Sequence, residues 1–325
     1  MCHQRLAEGE APACVQACPT QAIRIVAVPK SAPAPEISPL LGNTGVTRPV
    51  TRYVGRAVPT TAFAADRAAL VPEHAHWPLV FMLLFTQAGL GLLLGSGGEM
   101  RLTFAGAGLF FAGMAASVFH LGKPHKAWRF FLGLRTSWLS REILAFSMFA
   151  PIPLVLAARP FLGEWGWVAS LAAVSAWPLG LAAVFTSVMI YQDTHRPFWR
   201  FTLGAARFFG TVACFGLLAH AVNTPTAALA CAAAILLKMI PEAHLISAAG
   251  ADDWSPDLHS ARLQTGPLGR VMRARIIVAF AAGFCVLVQP WLALPILLLA
   301  ELAERQLFFQ AVHAPRMAGN FGPAG

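Results

Sequence analysis

The sequence predicts an all-α polytopic membrane protein with about eight transmembrane helices, and three observations support that fold class. The 325 residues are 57% hydrophobic and only 12% charged, whereas about a quarter of the residues in a soluble domain are charged. Long apolar runs follow one another from Trp77 onward. The formal charge of +9 comes mainly from short connections between these runs, a pattern that is typical of membrane topology and disfavours nucleic-acid binding.

Residues 1–28 hold half of the six cysteines in the chain. Cys14 and Cys18, followed by Pro19, form the C-x3-C-P ending of an iron–sulfur cluster motif. Cys2 stands where the second cysteine of a C-x2-C pair belongs. Because a 4Fe–4S cluster is held by four thiolates, the segment predicts an incomplete ligand set, followed by a strand that begins at "QAI". An incidental grouping of cysteines is the alternative.

Residues 29–76 are rich in proline, threonine and alanine without a helical period, which predicts an extended linker. Residues 77–312 predict a membrane domain, because eight runs are long enough to cross about 30 Å of hydrocarbon at about 1.5 Å per residue. The predicted spans are 77–95, 102–121, 142–158, 166–191, 202–221, 226–245, 275–292 and 294–312. A tight turn near Pro290 and Pro295 separates the last two spans, and residues 313–325 form a C-terminal tail.

Basic residues are distributed unevenly between the two sides of the predicted membrane domain. Eight spans place both termini on one side, and that side carries twelve basic residues against two on the other, Arg101 and Arg159. The twelve are Lys123, Lys126, Arg129, Arg135, Arg141, Arg196, Arg200, Arg262, Arg270, Arg273, Arg275 and Arg316. The positive-inside rule therefore predicts that both termini, and the cysteine segment, lie in the cytoplasm.

Polar residues at the cytoplasmic ends of two spans are the first candidates for chemistry. His120 closes the second span and Glu142 opens the third, and a basic loop with Lys126 and Arg129 joins them. Both side chains are therefore expected at one membrane level. Each also has a structural explanation, because the helix macrodipole favours a histidine at a helix C-terminus and a carboxylate at an N-terminus.

A second polar group lies further along the chain. Lys238, Glu242 and His244 come at the cytoplasmic end of the sixth span. They are expected to line a quinol pocket, to form a proton route, or to form an interfacial ion pair with snorkelling side chains. Glu301 and Arg305 are four residues apart in the last span and so share a helix face. Since an ionised residue at mid-membrane costs about 2.5–3.5 kcal/mol, these two are expected to pair, with proton movement as a second interpretation.

Five segments are similar to a known family. "CHQRLAEGEAPACVQACPTQAIRI" resembles the end of the four-cluster ferredoxin subunit that serves molybdopterin oxidoreductases of the dimethyl-sulfoxide reductase type. "SVFHLGKPHKAWRFF", "TSWLSREIL", "IYQDTHRPFW" and "LAELAERQLFF" resemble segments of the membrane anchor subunit of the same enzymes. Together the two resemblances cover most of the chain apart from the linker.

The resemblance implies a quinol-oxidising anchor subunit that is not catalytic by itself. The family carries its quinol-binding histidine and glutamate in this helix–loop–helix, at the positions of His120 and Glu142. Lys126 takes the place of a basic loop residue, where an arginine is expected, and Arg129 lies beside it. A histidine with an ordinary pKa of about 6.5 suits the contact to a phenolic oxygen, and a carboxylate suits the proton acceptor.

The resemblance also implies partners and cofactors. Menaquinol or ubiquinol would pass electrons through 4Fe–4S clusters of a ferredoxin-like subunit to a molybdopterin subunit that reduces an S-oxide or N-oxide, at the inner membrane of a bacterium. Current in the opposite direction, into quinone, is equally compatible. The family pattern places the missing cysteine upstream of Met1, which predicts either a longer ferredoxin–anchor fusion or a shortened gene with an inert remnant. An upstream extension or a partner would complete the cluster.

Two other functions remain open on the sequence alone. A haem b protein would use His120 and His244, which lie on the same side, as axial ligands, although the family lacks haem. A transporter would show inverted repeats or helices that glycine or proline breaks at mid-membrane. Pro178 is the candidate for such a break.

Overall fold

The computed structural model describes residues 3–18, 22–25, 68–119 and 124–314. These residues belong to two separate units, one formed by 1–67 with 316–325 and the other by 68–315. Wherever the chain is described it forms helices and turns and no strand, which confirms the all-α class.

The first unit contains two short helices, α1 (His3–Ala7) and α2 (Ala13–Gln16). Arg5 ties them together, because its guanidinium donates to Gln16 Oε1 at 2.7 Å and pairs with Glu10 Oε2 at 3.0 Å. Residues 22–25 have no regular secondary structure, so the strand expected to begin at "QAI" is not found in these four residues. Cys2 lies outside the described residues.

The second unit is a helical bundle. Its helices are α3 (Trp77–Gly95), α4 (Met100–Val118), α5 (Trp138–Phe149), α6 (Pro151–Ala157), α7 (Gly166–Gln192), α8 (Phe201–Asn223), α9 (Pro225–Ser247), α10 (Pro256–Thr265), α11 (Gly269–Val288) and α12 (Pro290–Gln310). Within the described ranges, seven stretches are long and apolar enough to cross a membrane, with α5 and α6 together making one of them. The expected eighth span, α12, is a helix of 21 residues that carries three charged side chains, which lowers its hydropathy.

Two predicted helix starts are corrected by the structure. The third span begins at Trp138 rather than at residue 142, because Ser137 caps the helix by accepting a hydrogen bond from the Ser140 backbone N–H. The seventh begins at Gly269 rather than at 275, so Arg270, Arg273 and Arg275 lie in the helix and not in a loop. Arg141 and Arg270 lie in the first turns of these helices, where a basic side chain can reach water along the helix surface, whereas Arg275 is buried and paired with Glu242. For these reasons the sequence pattern placed both starts too late.

The turn between the last two helices also comes earlier in the chain than predicted. Only Gln289 separates α11 from α12, and Pro295 lies within α12 instead of in the turn. Pro290 occupies the first position of α12, where a proline costs no hydrogen bond. Pro178 likewise lies inside the continuous helix α7, without the break that a transporter would need.

The connections between successive helices define two faces of the bundle. We call one the loop face (residues 119, 124–137, 193–200, 248–268 and 311–314) and the other the turn face (96–99, 158–165, 224 and 289). On the loop face the Glu73 backbone N–H donates to Gln310 O at 3.1 Å, so residues at the end of the predicted linker contact the bundle. On the turn face the Arg159 guanidinium lies beside Gly98.

Helix α3 is the most enclosed of the long helices and packs through glycines. A methyl group built on Gly89 would lie 2.6 Å from Gly106 O of α4, and one built on Gly95 would overlap Gly216 O of α8. These glycines therefore let three backbones meet. A methyl group on Gly91 would come equally close to Val212 O of α8.

The outer surface of the bundle is apolar and the inside is partly charged. Large hydrophobic side chains such as Val174, Leu229 and Phe284 are exposed, as expected for contact with lipid. Charged side chains of α8, α9, α11 and α12 are buried instead. This arrangement places the polar chemistry of the chain within the bundle.

Candidate functional site

Glu142 is buried near the loop face, between α5 and α7. Only 4% of its surface is exposed, and the Ser187 hydroxyl of α7 donates a hydrogen bond of 2.5 Å to its Oε1. Glu142 lies in the second turn of α5, because that helix begins four residues earlier. It is therefore too far along the helix to owe its position to the first-turn preference for carboxylates.

The loop that leads into α5 is held at its end by Arg141. The Arg141 guanidinium donates to Leu134 O at 3.0 Å and to Arg135 O at 2.8 Å, and it lies 4.3 Å from the Trp138 ring centroid. These contacts fix the entry of the chain into α5. The Arg141 guanidinium therefore binds backbone carbonyl groups of the loop and does not pair with Glu142. Among the described residues, no salt bridge to Glu142 is found.

The other predicted quinol-site residues lie in or next to this loop. His120 is outside the described residues, directly after the turn that ends α4. Lys126 and Arg129 belong to a 3-10 helix, Pro124–Gly133. Arg129 is exposed, whereas the Glu142 side chain is buried.

Aromatic rings separate Glu142 from a second polar region. Tyr191, one turn after Ser187, packs on Phe308 at 4.8 Å and on Trp199 at 5.2 Å between ring centroids. Trp199 donates its indole N–H to Phe308 O at 2.8 Å, which ties the start of α8 to α12. The Tyr191 ring also lies 5.8 Å from the Phe208 ring, and the Arg305 guanidinium lies 4.5 Å from the Phe208 ring centroid, so aromatic rings lie between α7 and the second region.

The second region is a buried network centred on the Thr211 hydroxyl of α8. Thr211 Oγ1 donates to Glu301 Oε2 at 2.6 Å and accepts from Lys238 Nζ at 2.8 Å and from Arg305 Nη2 at 2.9 Å. Lys238 forms an ion pair with Glu301, and Arg305 forms one with Glu304. Arg305 also donates to Gln87 Oε1 of α3 at 2.5 Å. Four helices thus meet at one hydroxyl group and its neighbours.

Two further features complete this network. Arg207 Nε lies 3.4 Å from Glu304 Oε1, and its guanidinium lies 4.3 Å from the Phe198 ring centroid. The stem of Lys238 runs along the backbone of α8 at Gly210, where an added methyl group would lie 3.0 Å from its methylenes. Gly210 therefore makes the room that lets Lys238 reach Thr211.

The structure divides the group predicted at the end of the sixth span. Lys238 turns to Thr211 and Glu301, whereas Glu242 pairs with Arg275 of α11, with 2.9 Å between Arg275 Nε and Glu242 Oε2. His244 is exposed on α9, which suits neither a shared proton route with the other two nor an axial haem ligand. Spacing along one helix placed these residues together, but their partners lie on three other helices.

The expected pairing of Glu301 with Arg305 is also corrected. The partner of Glu301 is Lys238, and that of Arg305 is its neighbour Glu304. Glu301 and Arg305 meet only through Thr211. Helix spacing predicts which side chains share a face, but it does not predict their partners. Glu301 pairs with a lysine of another helix, and Arg305 pairs with the residue before it in α12.

The buried charges balance only when Glu142 is counted. The buried charged side chains in the described part of the bundle are four cations, Arg207, Lys238, Arg275 and Arg305, and four carboxylates, Glu142, Glu242, Glu301 and Glu304. Three of the carboxylates have ion pairs. Glu142 has a hydroxyl partner instead, and an unpaired buried carboxylate is costly to keep ionised. It is therefore the carboxylate best suited to gain and lose a proton.

The cysteine segment is described only in part. Cys14 lies in the short helix α2 and is exposed, and the Ala22 backbone N–H donates to Cys18 Sγ at 3.2 Å. Hydrogen bonds to the sulfurs tune iron–sulfur clusters, so Cys18 is compatible with that role. Among residues 3–18, 22–25, 68–119 and 124–314, no three His, Cys, Asp or Glu side chains converge on one metal position.

Sequence reasoning missed several residues of the site. Ser187, Thr211 and Gln87 are isolated polar residues in apolar helices, and nothing in their spacing marks them. Glu304 could have been found, because three charges within five residues of a span are expensive unless each has a partner. Arg275 was placed at the first position of the seventh span and counted among the basic residues of the loop side, which hid its contact with Glu242.

Comparisons with known proteins agree with this architecture. The model of the family "DMSO reductase anchor subunit (DmsC)" matches residues 72–248, more than half of the chain. One of the subunits of a sulfite dehydrogenase from Allochromatium vinosum is 33% identical over 132 residues, which cover 34% of this chain and 38% of that relative. The match thus spans well under half the length of the curated relative. No solved structure matches.

Proposed function

Because the chain belongs to the DMSO reductase anchor subunit family, we propose that it anchors a molybdopterin catalytic subunit to the inner membrane of a bacterium and oxidises menaquinol or ubiquinol for it. Electrons pass through iron–sulfur clusters of a ferredoxin-like partner or segment to the catalytic subunit, which reduces an S-oxide or N-oxide. The family membership and the multi-pass helical bundle support the anchoring role. The surroundings of Glu142 support the quinol reaction.

The observation that carries the proposal is the isolation of Glu142. It is buried at the loop face and accepts a hydrogen bond from Ser187 at 2.5 Å, and the described residues offer it no salt bridge. Glu242, Glu301 and Glu304 are held by cations. A carboxylate without a fixed cation changes its protonation state at the lowest cost, as a proton acceptor must.

The residues of the loop face divide the work of quinol oxidation. The reaction releases two protons and two electrons. Glu142 accepts the protons of the two phenolic hydroxyl groups one after the other, releasing the first to the loop face before it accepts the second, and Ser187 holds the carboxylate in place. His120 binds one of the phenolic oxygens, while Lys126 and Arg129 supply positive charge at the membrane surface.

The electron acceptor would be an iron–sulfur cluster bound by the cysteine segment together with an upstream extension or a partner subunit. Cys2, Cys14 and Cys18 would be ligands of 4Fe–4S clusters, with Cys18, the last cysteine of the motif, serving a neighbouring cluster, and an upstream extension or a partner subunit would supply the missing thiolates. When bound, such a cluster accepts one electron at a time. The excess of basic residues on the loop face supports a cytoplasmic position for that face and for the segment.

The sulfite dehydrogenase relative favours a second candidate function. In this version the catalytic subunit oxidises a sulfur oxyanion, and the anchor delivers electrons into quinone instead of withdrawing them from quinol. The same carboxylate then donates protons to the reduced ring. Assays of membranes with sulfite plus quinone and with quinol plus an S-oxide separate the two directions.

The test of the proposal is the Glu142→Gln variant of the complex in its native membrane. Because general acid–base catalysis contributes about a hundredfold or more, quinol-driven turnover should fall about a hundredfold. Turnover with an artificial electron donor to the catalytic subunit should stay unchanged. Glu164→Gln is the matched control, since Glu164 is exposed on the turn face and should leave both rates unchanged.

Equal quinol-driven rates in Glu142→Gln and Glu164→Gln would remove Glu142 from the quinol site. A parallel fall of both kinds of turnover in Glu142→Gln would show that the substitution damages assembly. The Ser187→Ala variant then decides, because it keeps the carboxylate and removes only its hydrogen bond. A change in KM for quinol in that variant would retain the site.

A further inference from the structure

The polar side chains of the buried network occupy only one half of the bundle. At about 1.5 Å per residue, Glu242 lies about 8 Å from the loop-face end of α9, and Glu301 lies about 14 Å from that end of α12. Gln87 is about 15 Å into α3, which is half of a hydrocarbon layer of about 30 Å. The network therefore extends from the loop face to the middle of the membrane and ends there.

Unpartnered polar atoms recur along the same path. Ser260 Oγ and His259 Nδ1, on α10 at the loop face, are buried and have no hydrogen-bond partner among the described residues. The same holds for Arg305 Nε and, at mid-membrane, for Gln87 Nε2. Buried donors and acceptors in native proteins are usually satisfied by protein or by ordered water. A series of such atoms at successive depths indicates water between them.

The half of these helices next to the turn face carries no buried charged side chain among the described residues. Residues 88–95, 212–223, 225–237, 276–288 and 290–300 contain no Asp, Glu, Lys or Arg. Their inward side chains form a continuous apolar cluster, which includes Leu92, Phe215, Cys231, Val286 and Leu297. Thr211 and Arg305 are equally buried, so the two halves differ in polarity and not in exposure. A buried water needs polar partners, and an apolar cluster provides none. The turn-face half is therefore a seal.

We propose that the Thr211 network is a hydrated half-channel that exchanges water and protons with the loop face and is closed toward the turn face. Counted together with the Glu242–Arg275 pair, the network has four cations and three carboxylates, Glu242, Glu301 and Glu304, and a buried cation without a counter-charge is costly unless water or an anion solvates it. Glu142 supplies the fourth carboxylate, beyond Tyr191. Resting on the proposed function, this predicts that protons released from quinol return to the loop face, with no charge carried to the turn face.

The half-channel is tested by thiol labelling of the full-length protein in membrane vesicles of both orientations. Thr211→Cys places a thiol at mid-membrane, and methanethiosulfonate ethylsulfonate is a small, anionic, membrane-impermeant reagent. Mass spectrometry of peptides reads each cysteine separately. Thr136→Cys, exposed on the loop face, and Glu164→Cys, exposed on the turn face, show which vesicles present which face.

The expected result is modification of Thr211→Cys from the loop face only. Because thiol reagents attack the thiolate, which needs water, its rate should exceed that of the native, sealed Cys214 and Cys231 roughly tenfold or more. Gln87→Cys, at the same depth on α3, should behave alike and guards against a local effect of the Thr211 substitution. Labelling of neither variant, or labelling from the turn face, would overturn the proposal. The assay needs no quinol, so it fails or succeeds separately from the Glu142 assay.

Discussion

Arg275 shows, at the scale of a single residue, how a charge is kept inside this bundle. Its side chain is buried, with 1% of the residue exposed, and its Nε lies 2.9 and 3.2 Å from the two carboxylate oxygens of Glu242. Hydrogen bonds between two ionised groups are about twice as strong as those between neutral ones. Two residues earlier on the same helix, Arg273 is exposed and makes no such pair in the described part of the chain.

The pair of arginines on α11 gives a matched stability test. Arg275→Met leaves Glu242 buried without its cation, and breaking a buried ion pair from one side costs about 3–5 kcal/mol. We expect a clear fall in the thermal midpoint of the detergent-purified protein, followed by tryptophan fluorescence. Arg273→Met should leave the midpoint nearly unchanged, since exposed charges contribute about 0–1 kcal/mol.

A double substitution separates the loss of the charge from the loss of packing. Arg275→Met combined with Glu242→Gln removes both charges, so part of the lost stability should return. If Arg275→Met and Arg273→Met had the same thermal midpoint, that result would contradict the buried pairing of Arg275 with Glu242. The same result would remove one support of the half-channel.

At the scale of the helices, α3 is the element on which the rest of the bundle packs. Its glycines face two neighbours, with Gly89 against α4 and Gly95 against α8. Because no hydrophobic force draws helices together in lipid, close backbone contact supplies much of their association. The same helix carries Gln87 to Arg305, so its position also determines the geometry of the network.

Gly95→Ala tests this close approach. The added methyl group would overlap Gly216 O, so α3 and α8 must separate, and we expect a lower thermal midpoint and a slower quinol-driven rate. Gly283→Ala is the control, because a methyl group at Gly283 meets nothing within 4 Å. It should be neutral or slightly stabilising, since alanine favours a helix by about 1 kcal/mol over glycine. Equal effects of both variants would contradict the packing.

The sequence predicted those helices whose position depends only on the hydropathy of their own residues. Seven apolar helices of about the predicted length are present in the described chain, because hydropathy over about 20 residues is a local property. It did not predict helix ends whose position depends on a side chain of another helix. The start of α11 was placed at Arg275, since only Glu242, on another helix, makes a buried arginine acceptable there.

The candidate site shows the same limit. Glu142 could be singled out from the residues and the family resemblance, but its partner Ser187 lies 45 residues away in a segment without a polar pattern. The network could be sensed from Lys238, Glu301 and Arg305, but the pairing among them could not. It depends on Thr211 and on Gly210, two small residues that spacing does not mark.

For the molecule as a whole, the structure joins an apolar exterior to a charged interior that occupies one side of the membrane. Glu142 and the Thr211 network both belong to the loop face or to the half of the bundle next to it. Tyr191 and its aromatic neighbours lie between α7 and the Thr211 network. Quinol oxidation and proton exchange would then take place on the side of the membrane that carries the basic loops. The half of the bundle next to the turn face would exclude water and protons.

The measurement that tests the central claim most directly is the affinity of the purified protein for a quinol-analogue inhibitor. Since a hydrogen bond to a charged group is worth about 1.5–3 kcal/mol, Glu142→Gln should weaken binding about 10- to 100-fold. Glu164→Gln should bind like wild type. An unchanged Kd in Glu142→Gln would contradict the proposed quinol site, because the carboxylate would then take no part in holding the quinol ring.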